Sequence, residues 1–351
     1  MNDWTDLIDL DALTAWMDSQ GLGQGPITDA GPLSGGTQNI LLKFEREGRT
    51  YVLRRPPPHP RPNSNDTMRR EMRVLSALAG SGVPHPGFIA GCPTEDELGV
   101  AFYLMEPVSG FNATVHMPDL HAGDPTVRRR MGLSMVEGIA ALGAVDHEAV
   151  GLGDFGRPEN YLERQVSRWQ SQLKSYDEFA GWPGPGQIPG VEEVGRWLEA
   201  NRPSTFQPGV IHGDFHIANV MFRYDSGDLA AIVDWELSTI GDPLLDLGWL
   251  LATWPEGGKR VISSRPPEPW VGFPTRSELV AHYRPRTCRD LSHIEWYAVL
   301  ACYKLGIILE GTYARACAGK APVETGDKLH RSTMNLFEQA LRWIHRPQDA
   351  F

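Results

Sequence analysis

The chain has 351 residues, of which 41% are hydrophobic and 22% charged, so it can bury a sizeable core in one large domain or two smaller ones. This composition excludes disordered, fibrous and collagen-like proteins. The formal net charge of -11 argues against nucleic acid and anionic membranes as partners, because both are themselves negatively charged.

The cysteines and the first residues bear on the compartment. The four cysteines form no close pair with metal-site spacing, and the chain is too long to need disulfide staples. The N-terminal residues are acidic rather than basic, and the longest apolar stretch, residues 244–254, is interrupted by Asp246. These features predict a cytoplasmic protein without a signal peptide or a transmembrane helix.

The first third of the chain predicts a small sheet that carries one helix. Leu10, Leu13 and Met17 recur at helical spacing and predict an amphipathic helix near the N-terminus. The segments that follow alternate between strand and helix patterns: strands over 39–44 and 51–54 around a turn, a helix over 67–79, and strands over 87–91 and 100–105. The sheet should therefore be largely antiparallel.

The rest of the chain reads as mostly helical. Helical periodicity is found in six segments: 126–144, 161–176, 191–201, 244–253, 293–313 and 328–344. The predicted fold class is α+β, with a small β lobe over residues 1–106 and a large helical lobe over residues 107–351.

The densest polar cluster lies between hydrophobic strands at residues 210–222, and a second polar group follows at 234–236. Phosphoryl transfer needs a carboxylate beside the attacking hydroxyl and oxygen ligands for Mg²⁺. Asp214 can be the carboxylate beside the hydroxyl, and Asn219 with Asp234 can supply the oxygen ligands for Mg²⁺. Because five positions separate Asp214 from Asn219, one short loop can present both to the same phosphate group.

Three neighbouring residues are candidates for supporting roles. His212 is predicted to lock the loop through its ring nitrogens. His216 follows Asp214 by two positions, and it can either touch the transferred phosphate or acceptor or simply hold the loop. Glu236 is predicted to support its neighbours rather than to bind metal directly.

The motif His212-Gly-Asp-x4-Asn219 and the later Asp234 resemble those of the aminoglycoside phosphotransferase and choline-kinase-like enzymes, which share the protein-kinase-like fold. The resemblance covers roughly residues 5 to 345. Further segments look like the branch whose kinase domain is fused to acyl-CoA dehydrogenases: residues 34–39, 51–56, 70–71, 102–106, 164–165 with Trp169, and 234–243.

The resemblance implies ATP and Mg²⁺ as cofactors and a small-molecule hydroxyl compound as the acceptor. It also implies roles for the residues at matching positions: Asp214 as catalytic aspartate, Asn219 and Asp234 as magnesium ligands, Glu71 as partner of the phosphate-holding cation, Glu106 and Val108 as backbone contacts of adenine, and Asp246 as a brace below the catalytic loop.

One position departs from the wider family, because the cation on the third strand is Arg54 rather than lysine. Its guanidinium still offers a fixed charge and a fork of donors suited to phosphate oxygens. The alternative is a charge on an edge strand. In the preceding loop, Gly35, Gly36 and Thr37 are predicted to cover the phosphates with backbone N–H groups, since the loop opens the hairpin that carries Arg54.

The acceptor follows less directly from the residues. Residues 240–351 carry 12 acidic and 14 basic residues, which argues against an acidic pocket for a polycationic aminoglycoside. The resemblance implies a hydroxyacyl-CoA or another small alcohol, and Arg284, Arg286 and Arg289 would suit an anionic acceptor.

Three functions are therefore weighed. Asp214, Asn219 and Asp234 together favour an active small-molecule kinase, while Arg54 favours a catalytically weak, nucleotide-binding regulatory module. A true aminoglycoside phosphotransferase is a further alternative. A protein kinase is disfavoured, because no Phe-Gly pair and no long activation segment follow Asp234.

Overall fold

The computed structural model describes residues 8–33, 39–255, 261–262 and 266–346. The chain divides into two compact units, Met1–Ser109 with Ala230–Ser238, and Gly110–Leu229 with Thr239–Phe351. The sequence predicted a single boundary between residues 106 and 107. In the structural division the first unit runs on to Ser109 and also includes the segment 230–238, in which Asp234 pairs with Arg54.

The first unit is built on one antiparallel sheet with the strand order β1-β2-β3-β5-β4. Its elements in chain order are α1 (Leu10–Ser19), β1 (Thr28–Pro32), β2 (Ile40–Arg46), β3 (Arg49–Arg55), α2 (Ser64–Ala77), β4 (Phe88–Cys92) and β5 (Phe102–Met105). The predicted helices, the hairpin and the two later strands are confirmed. The turn between β2 and β3 has positive φ at both Glu47 and Gly48, as tight hairpins of right-handed twist require.

Strand β1 was missed by the sequence analysis. Its residues, Thr-Asp-Ala-Gly-Pro, show no alternation of apolar and polar side chains, and glycine and proline are depleted in strands. The strand forms through its backbone pairing with β2. Tertiary pairing therefore overrides a weak local preference.

The core of the first unit lies between α1 and the sheet. Asp9 caps α1, since its Oδ1 accepts the N–H groups of Asp11 and Ala12 at 3.0 and 2.9 Å. The buried face of the helix, including Trp16, packs on apolar side chains of β2, β3 and β5. Trp16 meets Phe102 edge to face, with ring centroids 4.7 Å apart.

The second unit is mainly helical. Its elements, together with the strand that crosses into the first unit, are α3 (Asp119–Gly123), α4 (Pro125–Gly143), α5 (Glu163–Ser175), α6 (Val191–Ala200), β6 (Gly209–Ile211), β7 (Val220–Phe222), β8 (Leu229–Ile232), β9 (Thr239–Gly241), α7 (Leu244–Thr253), α8 (Arg276–Tyr283), α9 (Ile294–Cys317) and α10 (Val323–His345). Strands β6 and β9 pair antiparallel, and α9 packs against both α7 and α10.

The six helices predicted for this part of the chain are present, whereas α3 and α8 were not predicted. Helix α8 begins with a complete capping box, in which Thr275 accepts the N–H of Glu278 and the Glu278 carboxylate accepts the N–H of Thr275. That Thr-x-x-Glu pattern was the available signal. In the described parts of the chain, no helix combines the length and the apolar character needed to cross a membrane.

Candidate active site

The catalytic loop, defined as residues 212–219, connects β6 to β7 within the second unit. Asp246, in the first turn of α7, is 1% exposed. Its carboxylate accepts the backbone N–H groups of His212 at 2.7 Å and Gly213 at 2.9 Å. Asp246 therefore holds the start of the loop, which is the kind of contact that the resemblance implies, and its part in catalysis stays a prediction.

Asp214 is fixed by two residues of the same loop. Asn219 Nδ2 donates to both the backbone O and the carboxylate Oδ2 of Asp214, each at 3.0 Å. His216 Nε2 lies 3.4 Å from Asp214 Oδ1. Burial by itself would raise the pKa of Asp214, but the hydrogen bond and charge of His216, with help from His212 and Lys304, lower the pKa overall. The carboxylate is thus ionised at neutral pH.

Both loop histidines hold the loop. His216 Nδ1 accepts the N–H of Ala218 at 3.2 Å and so caps the short 3-10 turn that ends at Asn219. His212 is completely buried, and its Nδ1 accepts the N–H of Asp214 at 3.3 Å. Of the two roles that the sequence left open for His216, the structure shows loop support. Contact with a phosphate stays a prediction.

A second cluster of charged residues lies in the first unit and is centred on Arg54. Its Nη2 donates to Glu71 Oε1 at 3.1 Å and to Asp234 Oδ1 at 3.0 Å. Its Nε lies 2.8 Å from Glu71 Oε2, although that N–H is not aimed along the contact. Tyr103 donates its hydroxyl to Glu71 Oε2 at 2.7 Å. Arg54, Glu71 and Asp234 are therefore brought together, as the resemblance implies for the first two.

The alternative that Arg54 is an edge-strand charge is wrong. Strand β3 lies between β2 and β5 in the sheet, and Arg54 is only 9% exposed. Burial alone would lower the pKa of Arg54, but the charges of Glu71 and Asp234 raise it well above the ordinary value, so the guanidinium stays charged. One guanidinium faces two carboxylates, which leaves a formal surplus of one negative charge.

Oxygen atoms suited to a divalent cation are present in both units. Asp234 adopts a left-handed backbone conformation with φ of 67°, and Asn219 points its Nδ2 at Asp214. Among the described residues, no hydrogen bond reaches Asp234 Oδ2 or Asn219 Oδ1. Hard cations such as Mg²⁺ prefer carboxylate and amide oxygens, and each of these residues by itself offers one of the right kind.

The segment between residues 105 and 109 carries the predicted adenine contacts. The N–H of Glu106 is already used, since it donates to Gly87 O at 2.7 Å. Its carbonyl, and the N–H of Val108, take part in no backbone hydrogen bond within the described part of the chain. One acceptor and one donor are thus left two residues apart. Gly35, Gly36 and Thr37 lie outside the described residues, while Glu236 lies in the 3-10 turn directly after Asp234.

Two residues at these clusters were not found by the sequence analysis. Tyr103 on β5 reaches Glu71, and Lys304 on α9 donates from Nζ to Gly213 O at 3.3 Å. A tyrosine in a strand and a lysine in a helix are ordinary residues, so neither gave a local signal.

A small antiparallel sheet with a buried Arg–Glu pair, and a helical unit with a braced His-Gly-Asp loop, define a phosphotransferase with the protein-kinase-like fold. The chain matches the phosphotransferase enzyme family over residues 29–263, and it belongs to that family. As a member of this family it is a phosphotransferase that acts on hydroxyl groups.

Similar proteins agree with this assignment. A solved structure from Ralstonia eutropha, provisionally assigned as an aminoglycoside phosphotransferase, is 30% identical with a TM-score of 0.78, and the match covers 95% of this chain and 99% of that one. The aminoglycoside 2'-phosphotransferase IIIa shares the fold at 17% identity and a TM-score of 0.62, over 97% of this chain and 99% of that one.

Curated relatives include acyl-CoA dehydrogenase family member 11 of Gallus gallus, which is 31% identical over 89% of this chain, and family member 10 of Mus musculus, which is 28% identical over 90%. These matches cover 40% and 29% of the respective relatives. The chain therefore spans less than half the length of both.

Proposed function

We propose that this protein is an ATP- and Mg²⁺-dependent kinase that transfers the γ-phosphoryl group to the hydroxyl of a small acceptor. The observation that supports this most is the fixed carboxylate of Asp214, held by Asn219 and His216 on a loop that Asp246 braces. A regulatory module that only bound nucleotide would have no need of a base at this position.

In this proposal, Asp214 orients the acceptor hydroxyl and takes its proton as the oxygen attacks phosphorus. The lowered pKa of Asp214 keeps it ionised and makes it a weak base. A weak base suffices when the transition state is loose, because the hydroxyl loses its proton late. Most of the rate enhancement then comes from positioning, which the hydrogen bonds to Asp214 supply.

The groups for nucleotide binding are proposed as follows. Asn219 Oδ1 and Asp234 Oδ2 would hold Mg²⁺, which when bound neutralises the charge of the phosphate oxygens. Arg54 would contact phosphate through Nη1, since its Nη2 already serves Glu71 and Asp234. The carbonyl of Glu106 and the N–H of Val108 would meet the adenine edge. Structural neighbours with ADP or AMP-PNP bound beside hygromycin B support a nucleotide as donor.

The acceptor that we place first is a hydroxyacyl-CoA thioester. The curated relatives carry acyl-CoA dehydrogenase names, and the basic surplus of residues 240–351 suits an anion better than a polycation. An aminoglycoside is the second candidate, because the Ralstonia relative is provisionally assigned to that activity.

Nucleotide binding can be tested by calorimetric titration with AMP-PNP, with and without Mg²⁺. We expect magnesium to tighten binding in the wild-type protein and to lose that effect in Asn219→Ala and Asp234→Asn. Asp225→Asn is a matched control, since Asp225 is an exposed acid paired only with Arg223 among the described residues. No binding in either condition would contradict the proposal and favour the regulatory module.

The acceptor can be tested by following ADP release with MgATP and three compounds: 3-hydroxybutyryl-CoA, kanamycin and hygromycin B. Acceptor-dependent release that Asp214→Asn abolishes would identify the class of acceptor. Stimulation by an aminoglycoside and not by the thioester would overturn our order of candidates while keeping the kinase assignment.

A further inference from the structure

Lys304 extends from the middle of α9 to the peptide bond that leads into Asp214. Its Nζ donates to Gly213 O at 3.3 Å, and the N–H at the other end of the same peptide donates to His212 Nδ1 at 3.3 Å. Both ends of this peptide bond are therefore held. Gly213 has a φ of +86°, which glycine adopts readily, so the two hydrogen bonds select one orientation of a peptide that could otherwise turn.

The ammonium group lies close to two buried indole rings. Nζ lies over Trp249 at 4.5 Å from the ring centroid and over Trp169 at 5.6 Å. Cation–π contacts of this kind fix an ammonium group where it has lost part of its water shell. Lys304, Trp249 and Asp246 also bound a small cavity of about 20 Å³ directly below the loop. These contacts favour the observed position of the ammonium group.

The charges that face Lys304 come from every element around it. Asp214 on the catalytic loop and Asp246 on α7 attract the ammonium group, and Arg168 on α5 repels it. Without Lys304, the charges of Asp214 and Asp246 would be balanced only by Arg168 among these groups. Lys304 therefore acts on Asp214 in two ways. It fixes the backbone that leads into Asp214, and its positive charge stabilises the ionised carboxylate.

We infer that Lys304 is a positioning residue for phosphoryl transfer, which fixes the Gly213–Asp214 peptide and keeps a positive charge beside the catalytic carboxylate. This inference rests on the proposed function, because it assigns Asp214 the role of base. Lys304 itself touches no reacting atom in this scheme.

The energetic cost of the arrangement supports a functional role. Burial lowers the pKa of Lys304 to about 8, although Asp214 and Asp246 pull it upward. A partly buried cation whose charged form is disfavoured by its surroundings is more typical of a functional site than of a purely structural position. Replacement by methionine, which has a similar length and no charge, should lower stability, because Asp246 then keeps a buried charge without its facing cation. Its kcat is therefore measured on protein shown to be folded.

The test compares Lys304→Met and Lys304→Arg with the control Lys320→Met. Lys320 also lies over an aromatic ring, that of Phe179 at 5.2 Å, but is exposed. For Lys304→Met we expect kcat for ADP release to fall about 100-fold, as displaced catalytic groups do. The affinity for AMP-PNP should stay close to that of the wild type, while the melting temperature should fall because Asp246 loses its facing cation. Lys320→Met should match the wild type throughout.

The pH dependence separates positioning from a purely structural role. Wild-type kcat/KM should fall as pH rises through about 8, where Lys304 loses its proton. Lys304→Arg should regain most of the lost activity and shift this alkaline limb upward, because arginine stays charged. An independent readout is tryptophan fluorescence between pH 6 and 10, in which the wild type should show a transition near pH 8 that both variants lack.

The outcomes distinguish the two proposals. If the wild-type protein neither phosphorylates any acceptor nor hydrolyses ATP, the proposed function and this inference are overturned together. An active wild type whose kcat is unchanged in Lys304→Met would overturn the inference alone. The inference would also be overturned if the alkaline limb of the kcat/KM profile were identical in Lys304→Arg and the wild type. A third contradicting result is a Lys304→Met variant that fails to fold while Lys304→Arg restores stability without activity.

Discussion

Arg54 and Asp234 form a direct ion pair, with Nη2 3.0 Å from Oδ1, although 180 positions separate them in the chain. The same guanidinium also pairs with Glu71. A lysine has one nitrogen at the end of a flexible stem, whereas the arginine fork can serve two carboxylates in fixed geometry. Arginine at a position where the wider family has lysine is therefore compatible with an organised nucleotide site.

Removing the Arg54 charge should destabilise the first unit. Arg54→Met would leave Glu71 buried opposite Asp234 without a cation, and breaking a buried pair in this way costs about 3 to 5 kcal/mol. We expect the free energy of unfolding in urea to fall by about 3 kcal/mol. Arg49→Met is the control, because the pair of Arg49 with Glu106 is exposed and should contribute less than about 1 kcal/mol.

Asp214→Asn should abolish turnover while leaving AMP-PNP affinity within a few-fold. The amide cannot accept the hydroxyl proton as a carboxylate does, whereas the groups proposed for the nucleotide are unchanged. We expect kcat to fall by at least about 1,000-fold, as measured by coupled detection of ADP. Asp225→Asn serves as control. Full activity in Asp214→Asn would remove this residue from the mechanism.

Gly213→Ala should impair catalysis more than stability. At a φ of +86° an alanine is strained by about 1 to 2 kcal/mol, and relief of that strain would turn the peptide that precedes Asp214. The control is Gly319→Ala at the end of α9, where φ is +70° and nothing lies within 4 Å of the added methyl group. The melting temperature should decrease by a similar amount in both variants, whereas kcat should decrease only in Gly213→Ala.

Glu137 should make part of the stability of the second unit depend on pH. The hydrogen bonds of Arg130 lower the pKa of Glu137 to about 2, with His282 and Arg286 contributing. A carboxyl whose pKa is lower in the folded protein stabilises it above the pKa of the unfolded chain, and this contribution is lost as pH falls from about 4.5 to 2.

Glu137→Gln should consequently lower the free energy of unfolding by about 1 to 2 kcal/mol at pH 7, an amount reduced by the partial exposure of the group. The difference from the wild type should shrink below pH 4.5. Denaturant unfolding at pH 7, 4 and 3 measures it, with the exposed Glu324→Gln as control. A difference independent of pH would contradict the assigned ion pair.

Local sequence patterns determined most of the elements of this protein. Apolar residues recur with a 3.6-residue period in α1 and alternate with polar residues in β2 and β3. Both patterns reflect which face is buried, and both are visible within about ten residues of sequence. The link between Asp214 and Asn219 was also accessible, because five positions keep both side chains in one loop. The class of enzyme followed from the same motif.

Tertiary structure alone decided the rest. Strand β1 exists because β2 offers it a partner, and Asp234 joins the first unit because a buried guanidinium attracts it across 180 positions. Lys304 meets Gly213 across 91 positions because α9 packs beside α7, whose Asp246 holds the same loop. Such contacts depend on how distant elements pack, and no local period of the sequence encodes them.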